Sequence, residues 1–205
     1  MSNTITQNLP QHPFWQFSLH VYQQGNLKNA LLSLQDTYKF NINIVLFCCW
    51  TGYAGYGRYN RKELQHILEN TALWHEKITV ALRYLRNRLG HHLTTTWTHA
   101  VREAILKEEL EAEHVEQLLL ADLLTNTPHL KRSTYQRVID AQHNLQLYCK
   151  LTKINLDQDG NNVFYLLLSG VFPNIEPQKI ANLCNAKLAL YNPHKTSGKQ
   201  LALEL

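Results

Sequence analysis

The chain has 205 residues, of which 44% are hydrophobic and 18% are charged, so it is long enough for one domain with a sizeable core. Its 20 Lys and Arg against 16 Asp and Glu give a net charge of +4, which is too small to predict a nucleic-acid partner. The longest apolar runs, Ile44–Trp50 and Val163–Leu168, fall far short of the roughly 20 residues that span a bilayer. Composition therefore argues against a membrane-spanning chain.

The first predicted segment is a disordered leader, residues 1–12, which is polar and contains no Lys, no Arg and no apolar stretch. It does not have the pattern of a secretion signal. The four cysteines form no Cys-x-x-Cys pair, and a disulfide between adjacent Cys48 and Cys49 would be strained. Buried, reduced thiols are the expected state, which indicates a cytoplasmic protein.

Three short helices follow with almost no linker between them. The first is predicted over residues 14–24, and Gly25 is expected to end it in a left-handed conformation. Asn26 is expected to cap the second helix, and Asn41 the third. The third helix, residues 42–53, is apolar nearly all round and is predicted to be the central, most buried element.

The rest of the chain also shows helical periodicity and no strand pattern. Asn60 is expected to start a helical stretch that reaches Gly90 and is either bent or restarted at the polar break Asn70-Thr71. A turn at 91–96 leads into a long helix over 96–124. Both are predicted to bury an apolar stripe: Trp74, Ile78, Ala81, Leu82, Leu85 and Leu89 on the earlier helix, and Trp97, Val101, Ile105, Ala112, Val115 and Leu119 on the later one. Further helices are expected from Ser133, Asn162 and Pro177. The prediction is an all-α, single-domain bundle of seven or eight helices over residues 13–190, with a frayed tail at 191–205.

Several short motifs between residues 14 and 148 resemble one known family. They are Phe14-Trp15-x-Phe17-Ser18-Leu19, Tyr22, Leu34-Gln35-Asp36, Asn43, Leu46-Phe47, Trp50, Leu82-Arg83-x-x-Arg86, Glu109-Leu110-x-Ala112-Glu113 and Asn144-Leu145-x-Leu147-Tyr148. As a set they resemble a family of small proteobacterial proteins that is catalogued as a domain of unknown function. The family usually has Gly at the position of Lys39, which weakens the expectation of a left-handed helix end there. The resemblance implies an all-α bacterial protein and no particular activity.

Two pairs of charged residues are the candidates for a site within these motifs. Glu109 and Glu113 share one helix face, and Arg83 and Arg86 share a face of the preceding helix. Because a short turn joins the two helices, they should run antiparallel and bring the pairs together. Such a cluster is either a salt-bridge network that fixes helix register or a ligand site, and both interpretations stay open.

A metal site is the alternative with the most specific pattern. Glu63/His66 and Glu111/His114 both have the Glu-x-x-His spacing that di-iron carboxylate bundles use twice. Both pairs are predicted to point away from the apolar stripes of their helices, however, whereas metal ligands in a bundle project inward. Solvated surface is therefore the favoured interpretation, and no cofactor is expected.

The loop between the third and fourth helices is a candidate protein-contact surface. It places Tyr53, Tyr56, Arg58 and Tyr59 close together, and Tyr and Arg dominate binding hot spots. These residues are predicted to be exposed and to form the contact. The alternative is that the tyrosines fold back over Trp50.

Two modest basic clusters leave RNA binding as a further alternative: Arg58, Arg61 and Lys62, and Arg83, Arg86 and Arg88. No Ser or Cys lies in the small-residue turn that a nucleophile requires. The favoured hypothesis is a non-enzymatic protein that acts through contacts with an unidentified protein partner. A metal-binding bundle and a weak RNA-binding protein are the alternatives.

Overall fold

The computed structural model describes residues 9–92 and 95–185, together with the side chains of all of these except His91 and His92. Helices make up 79% of this part of the chain, and it contains no strand. The helices are α1 (Pro13–Gln23), α2 (Gly25–Tyr38), α3 (Ile42–Ala54), α4 (Arg61–Trp74), α5 (Val80–His92), α6 (Thr96–Asp122), α7 (Thr134–Thr152), α8 (Gln158–Val171) and α9 (Pro177–Cys184).

A π-helical segment, His75–Thr79, joins α4 to α5 without a break, so the described residues form eight continuous helices. This confirms the predicted single all-α domain of seven or eight helices. None of the helices in residues 9–92 and 95–185 combines the length and the apolar character that a membrane span requires. The first eight residues of the predicted leader, and the predicted tail, lie outside the described residues.

Helix α3 lies at the centre of the fold, as its composition predicts. Every residue from Ile42 to Gly52 is buried, and the Asn41 side chain accepts a hydrogen bond from the Asn43 backbone N–H at 2.9 Å. Helix α7 approaches so closely that a Cβ on Gly52 would lie 2.5 Å from the backbone nitrogen of Ala141. Only glycine fits at this crossing, so the contact between α3 and α7 depends on it.

Aromatic rings attach α1 and the loop after α3 to the central helix. Phe14 stacks on Trp50 with ring centroids 5.0 Å apart and meets Phe47 edge-on at 5.6 Å. Tyr59 stacks on Phe47 with ring centroids 5.9 Å apart. Phe14 and Phe47 are both fully buried, so these contacts belong to the main core.

The ends of α2 differ from the sequence prediction. Gly25 is the first residue of α2 rather than a left-handed stop, because the chain turns at Gln24, whose backbone is extended. The helix therefore begins before Asn26, which does not cap it. Lys39 ends α2 in the left-handed conformation, with φ 60° and ψ 29°. The left-handed end is thus present although glycine is absent.

The π-helical segment changes which side chains face inward. Thr71 and Thr79 are buried, Arg83 and Arg86 are half-buried, and Ile78, Ala81 and Leu85 are exposed. A π turn closes i→i+5 hydrogen bonds and takes up about one extra residue, which moves each later side chain round the axis by roughly 100°. The predicted stripe is therefore wrong at Ile78, Ala81 and Leu85, while Trp74, Leu82 and Leu89 are half-buried.

Helix α6 is also oriented differently from the prediction. Its buried residues are mostly polar: Glu109, Ala112, His114, Glu116, Gln117, Leu120 and Ala121. Three members of its predicted apolar stripe are exposed, namely Val101, Leu119 and Trp97, the last to 83%. Ala112 is buried as predicted, and Ile105 and Val115 are half-buried. The prediction is wrong at the three exposed positions because the surfaces that meet α6 are themselves polar: α5 presents arginines and the start of α3 presents asparagines.

Candidate functional site

The two predicted arginines and two predicted glutamates meet between α5 and α6. Arg83 donates through Nε to Glu109 Oε1 at 2.9 Å and through a terminal nitrogen to Glu113 Oε1 at 2.6 Å. Arg86 donates through Nε to Glu109 Oε2 at 2.5 Å. We call these four residues the Arg–Glu cluster. The pairings require antiparallel helices, as the sequence predicts.

Burial and neighbouring charges shift the pKa of two members of the cluster, Arg83 and Glu113. The Arg83 side chain is 17% exposed and the Glu109 side chain 5%. Burial acts to lower the pKa of Arg83, but the charges of Glu113 and Glu109 outweigh it and raise that pKa. Burial and the nearby Glu109 carboxylate raise the pKa of Glu113 despite its contact with Arg83. Two carboxylates share Arg83, and Glu113 gains too few hydrogen bonds to offset its loss of water.

A second buried carboxylate, Glu116, lies two turns from Glu109 on the same face of α6. Its Oε1 accepts from Asn41 Nδ2 at 2.6 Å, and its Oε2 accepts from Asn43 Nδ2 at 3.1 Å and Thr79 Oγ1 at 3.0 Å. His75 Nδ1 lies 3.1 Å from Oε1. We call these five residues the Glu116 network.

The Glu116 network holds its carboxylate in the charged form. Burial would raise the pKa of Glu116, but the contacts from His75, Asn41 and Asn43 outweigh it and lower that pKa. A short chain of hydrogen bonds extends the network towards α1: Gln117 donates to Asn43 at 2.8 Å, and Ser18 donates to Gln117 at 2.9 Å. Polar contacts therefore run from α3 across α6 to α1.

The sequence prediction found the Arg–Glu cluster and missed the Glu116 network. A usable signal is present: Glu109, Glu113, Glu116 and Gln117 recur at helical spacing on one face of α6. The apolar residues of α6 predict a different buried face, which leaves Glu116 and Gln117 on the predicted surface. His75 also has a signal, because it follows the buried Ile67 and Thr71 at intervals of four residues and so lies on the same helix face.

A groove of about 560 Å³ lies above the Arg–Glu cluster, between α1, α2, α5 and α6. Its walls are apolar and comprise Trp15, Leu19, Leu32, Leu106 and Leu110, while Ser18, Tyr22, Gln117 and the Arg–Glu cluster supply polar groups. Lys28 and Gln35 also border it. Most of these residues belong to the motifs that carry the family resemblance. Apolar walls around a few convergent polar groups are typical of a binding site.

The loop after α3 does not form the exposed surface predicted from its tyrosines. Tyr59 is 3% exposed, and its backbone N–H donates to Asn144 Oδ1 at 2.9 Å. Tyr56 is half-buried against Trp50, with ring centroids 5.2 Å apart. Tyr53 and Arg58 are exposed. The prediction of exposure is therefore wrong for Tyr56 and Tyr59, which cover the end of α3.

Three of the six cations in the predicted basic clusters pair with carboxylates. Arg58 Nε lies 2.9 Å from Asp140 Oδ1, and Arg132 Nε lies 2.6 Å from Asp140 Oδ2. Arg83 and Arg86 are held in the Arg–Glu cluster. Arg61, Lys62 and Arg88 are exposed and form no ion pair with a described residue, so RNA binding stays an alternative that rests on half of the predicted positive charge.

The Glu-x-x-His pairs have other roles. Glu63 accepts from the Asn60 backbone N–H at 2.7 Å and completes a capping box at the start of α4. His66 and Glu111 are exposed. His114 is buried, contrary to its predicted outward position, because its ring stacks on Trp15 at 4.1 Å. In residues 9–92 and 95–185, no group of three or more His, Cys, Asp or Glu side chains could hold a metal ion.

A family model described as "Protein of unknown function (DUF2390)" matches residues 13–120, which is more than half of the 205 residues. The matched range includes all residues that line the groove and all members of both polar networks. It ends before the motif at 144–148 that contributed to the resemblance. No curated protein and no solved structure matches the chain.

Proposed function

We propose a function from the geometry of the groove, because the chain belongs to the DUF2390 family, which is described only as proteins of unknown function. The protein is a non-enzymatic binding module, and the groove receives an amphipathic helix from a partner protein. The observation that supports the proposal is a set of partly exposed apolar side chains around a polar floor whose charged groups are already paired.

The walls of the groove are suited to apolar side chains of a helix. Leu19 and Leu32 are each 39% exposed and Leu110 is 48% exposed, although all three surround one depression. A single helical turn with its side chains occupies about 500 Å³, which is close to the volume of the groove. Because only the apolar face of a bound helix enters a groove, this volume accommodates the apolar side chains of two or three turns, as in other helix-in-groove complexes.

The charges around the groove favour an acidic residue on that helix. Within the Arg–Glu cluster, two arginines balance two glutamates, so the floor carries no net charge. Lys28 borders the groove, is exposed and forms no ion pair with a described residue. A partner carboxylate beside Lys28 would complete the contact, which adds specificity and speeds association more than it adds affinity.

The same geometry favours binding over catalysis. Each charged group of the Arg–Glu cluster already bonds to an opposite charge. A reaction that used Glu113 as an acid or base would first have to break its contact with Arg83. A rigid floor, by contrast, holds α5 and α6 in register and keeps the walls in place.

The experiment is a selection of displayed peptides against the purified protein. The library encodes amphipathic helices with and without an acidic residue on the polar side. We expect enrichment of helices with apolar residues at i, i+3/i+4 and i+7 and an acidic residue next to them. Bound peptides should change the fluorescence of Trp15, which lines the groove.

Two variants test whether the selected peptides use the groove. Leu110→Glu puts a charge on its wall, and Leu119→Glu puts one on an exposed part of the same helix that does not line the groove. Binding should fall at least about tenfold in the first variant and stay unchanged in the second. Equal binding by both variants, or no enrichment of amphipathic helices, contradicts the proposal.

The proposal also assigns the protein to the cytoplasm. All four cysteines are free, and three of them, Cys48, Cys49 and Cys184, are buried. Reduced cysteines are the usual state in the cytoplasm and are uncommon in oxidising compartments. Recovery of the native protein in a periplasmic or secreted fraction contradicts this assignment.

A further inference from the structure

A second cavity, of about 720 Å³, lies on another side of the molecule, where α1, α3, α7 and α8 meet. Its lining is largely apolar and aromatic and includes Phe17, Trp50, Tyr53 and Phe172. Cavities of this size and composition are typical of small-molecule sites. It shares no lining residue with the groove, so a ligand here is independent of the proposed protein contact.

Arg137 is the only charged side chain, other than the titratable His20, that lines this cavity in the described structure. It forms no ion pair with a described residue, whereas Arg58 and Arg132 both pair with Asp140, one turn from Arg137. The other arginines that form no ion pair with a described carboxylate, Arg61 and Arg88, are exposed. Arg137 is only half-exposed, so its positive charge is unusual in lacking a partner.

The position of the Arg137 guanidinium is fixed by the protein. A terminal nitrogen donates to the Tyr53 backbone oxygen at 2.9 Å, at the carboxyl end of α3. The Nε atom is buried and has no hydrogen-bond partner. Capping of α3 uses one N–H group, and the guanidinium forms no ion pair with a described carboxylate. A guanidinium with several donors in a fixed fork is suited to bind a carboxylate.

The surroundings of Arg137 supply further donors and no competing acid. Thr134, the first residue of α7, lines the cavity together with His20 and Gln16. The amino end of a helix favours a negative charge. No Asp or Glu lines the cavity, so an incoming carboxylate meets no like charge from its walls.

We propose that this cavity is a binding site for a small carboxylic acid with an apolar or aromatic body. The body packs against the aromatic walls, and the carboxylate pairs with Arg137. An uncharged analogue of the same shape would keep the packing and lose the ion pair, which gives the proposal a direct test.

The experiment is isothermal titration calorimetry with two matched pairs of compounds, 3-phenylpropanoate and 3-phenylpropanamide, and octanoate and octanamide. At least one acid should bind about tenfold or more tightly than its amide, as expected for hydrogen bonds to charged groups. Arg137→Gln should remove that preference. Arg61→Gln, which changes an exposed arginine without a carboxylate partner, should retain it.

A second variant guards against loss of the fold in Arg137→Gln. Ala54 lines the cavity and is half-buried, so Ala54→Leu fills space while leaving Arg137 in place. It should weaken both the acid and the amide. Equal affinity of acid and amide for the wild-type protein overturns the proposal. So does the absence of millimolar binding by either acid, or acid binding that survives Ala54→Leu unchanged.

Discussion

The contact of α3 with its neighbours and the contact of α5 with α6 join helices by opposite means. Around α3 the buried surfaces are apolar and aromatic, and every residue from Ile42 to Gly52 is inside. Between α5 and α6 the contact depends on arginines and glutamates, while Tyr84, Leu85, Trp97 and Val101 remain exposed. One chain thus contains a hydrophobic centre and a polar seam, by which we mean the contact of α5 and the π-helical segment with α6.

The difference teaches where stability and where specificity reside. Apolar burial stabilises in proportion to area and depends little on register. Buried ion pairs return little net energy after desolvation, but they fix one alignment because a shifted helix leaves charges unpaired. We infer that the centre around α3 supplies most of the stability and that the polar seam sets the register of α5 on α6.

The largest expected effect comes from the hydrophobic centre. Phe47→Ala removes a fully buried ring that contacts Phe14 and Tyr59, and should cost roughly 3–5 kcal/mol of unfolding free energy. Urea denaturation measures it. Leu85→Ala, on the exposed side of α5, is the matched control and should cost less than about 0.5 kcal/mol. Similar losses in the two variants would remove the distinction between the regions.

A smaller loss is expected where the seam reaches the centre. Glu116→Gln replaces one carboxylate oxygen by an amide NH2 group, which cannot accept the hydrogen bonds of the Glu116 network. The substitution should cost roughly 1–3 kcal/mol of unfolding free energy at pH 7. The pKa of Glu116 is lower in the folded protein than its ordinary value of 4.5. Its stabilising contribution is therefore complete above that value and is lost as the pH falls through the lower, folded pKa.

The pH dependence provides a check that a packing defect cannot imitate. Unfolding free energies at pH 7 and pH 3 should differ more in the wild-type protein than in Glu116→Gln. Glu111→Gln, at an exposed position, should keep the wild-type difference. If Glu116→Gln keeps the wild-type difference in unfolding free energy between pH 7 and pH 3, protonation of Glu116 does not account for the loss of stability in acid.

The seam itself should show coupling with modest energy. A double-mutant cycle between Arg83 and Glu113, each replaced by Ala, should give a coupling of about 1–2 kcal/mol. Lys107 and Glu111, 3.9 Å apart and with side chains 67% and 53% exposed, form the control pair. Their coupling should stay below about 0.5 kcal/mol. If the losses of unfolding free energy in the two single variants add without coupling, the seam does not fix the register of α5 on α6.

The smallest expected effect is a gain at the edge of the hydrophobic centre. Lys39 adopts a left-handed backbone with φ 60°, which glycine adopts without strain. Lys39→Gly should therefore raise the unfolding free energy by about 0.5–1 kcal/mol. Lys28→Gly, inside α2, should lower it by about 1 kcal/mol. A loss in both variants would show that α2 gains nothing from glycine at its end.

The sequence predicts the centre of the fold well because one physical effect dominates there. A run that is apolar on all sides has no stable position outside a core, so the position of α3 and its Asn41 cap follow directly. The Arg–Glu cluster is predictable for a similar reason, since opposite charges at helical spacing on two consecutive helices meet when the helices fold back.

The remaining errors arise where a neighbour decides the outcome. Apolar residues on α6 were expected to be inside, but a helix buries whichever face its partner matches, and its partners are polar. The sequence predicts that Tyr59 is exposed, but contacts with Asn144 and Phe47 bury it. The sequence gives no signal for Arg137. Its charge lacks an ion pair with a described residue because the nearby carboxylate, Asp140, already pairs with Arg58 and Arg132.

The π-helical segment makes the rod formed by α4 and α5 one residue longer than its packing requires. Thr79, Arg83 and Arg86 occupy the places that residues 78, 82 and 85 would take in a uniform α-helix. Deletion of Lys77, which is exposed, would remove the extra residue, and the later side chains would keep their directions around the helix axis. In a uniform α-helix the loss of one residue rotates every later side chain by roughly 100°. Here it leaves both arginines opposite their glutamates, so the chain can lose a residue and keep its seam.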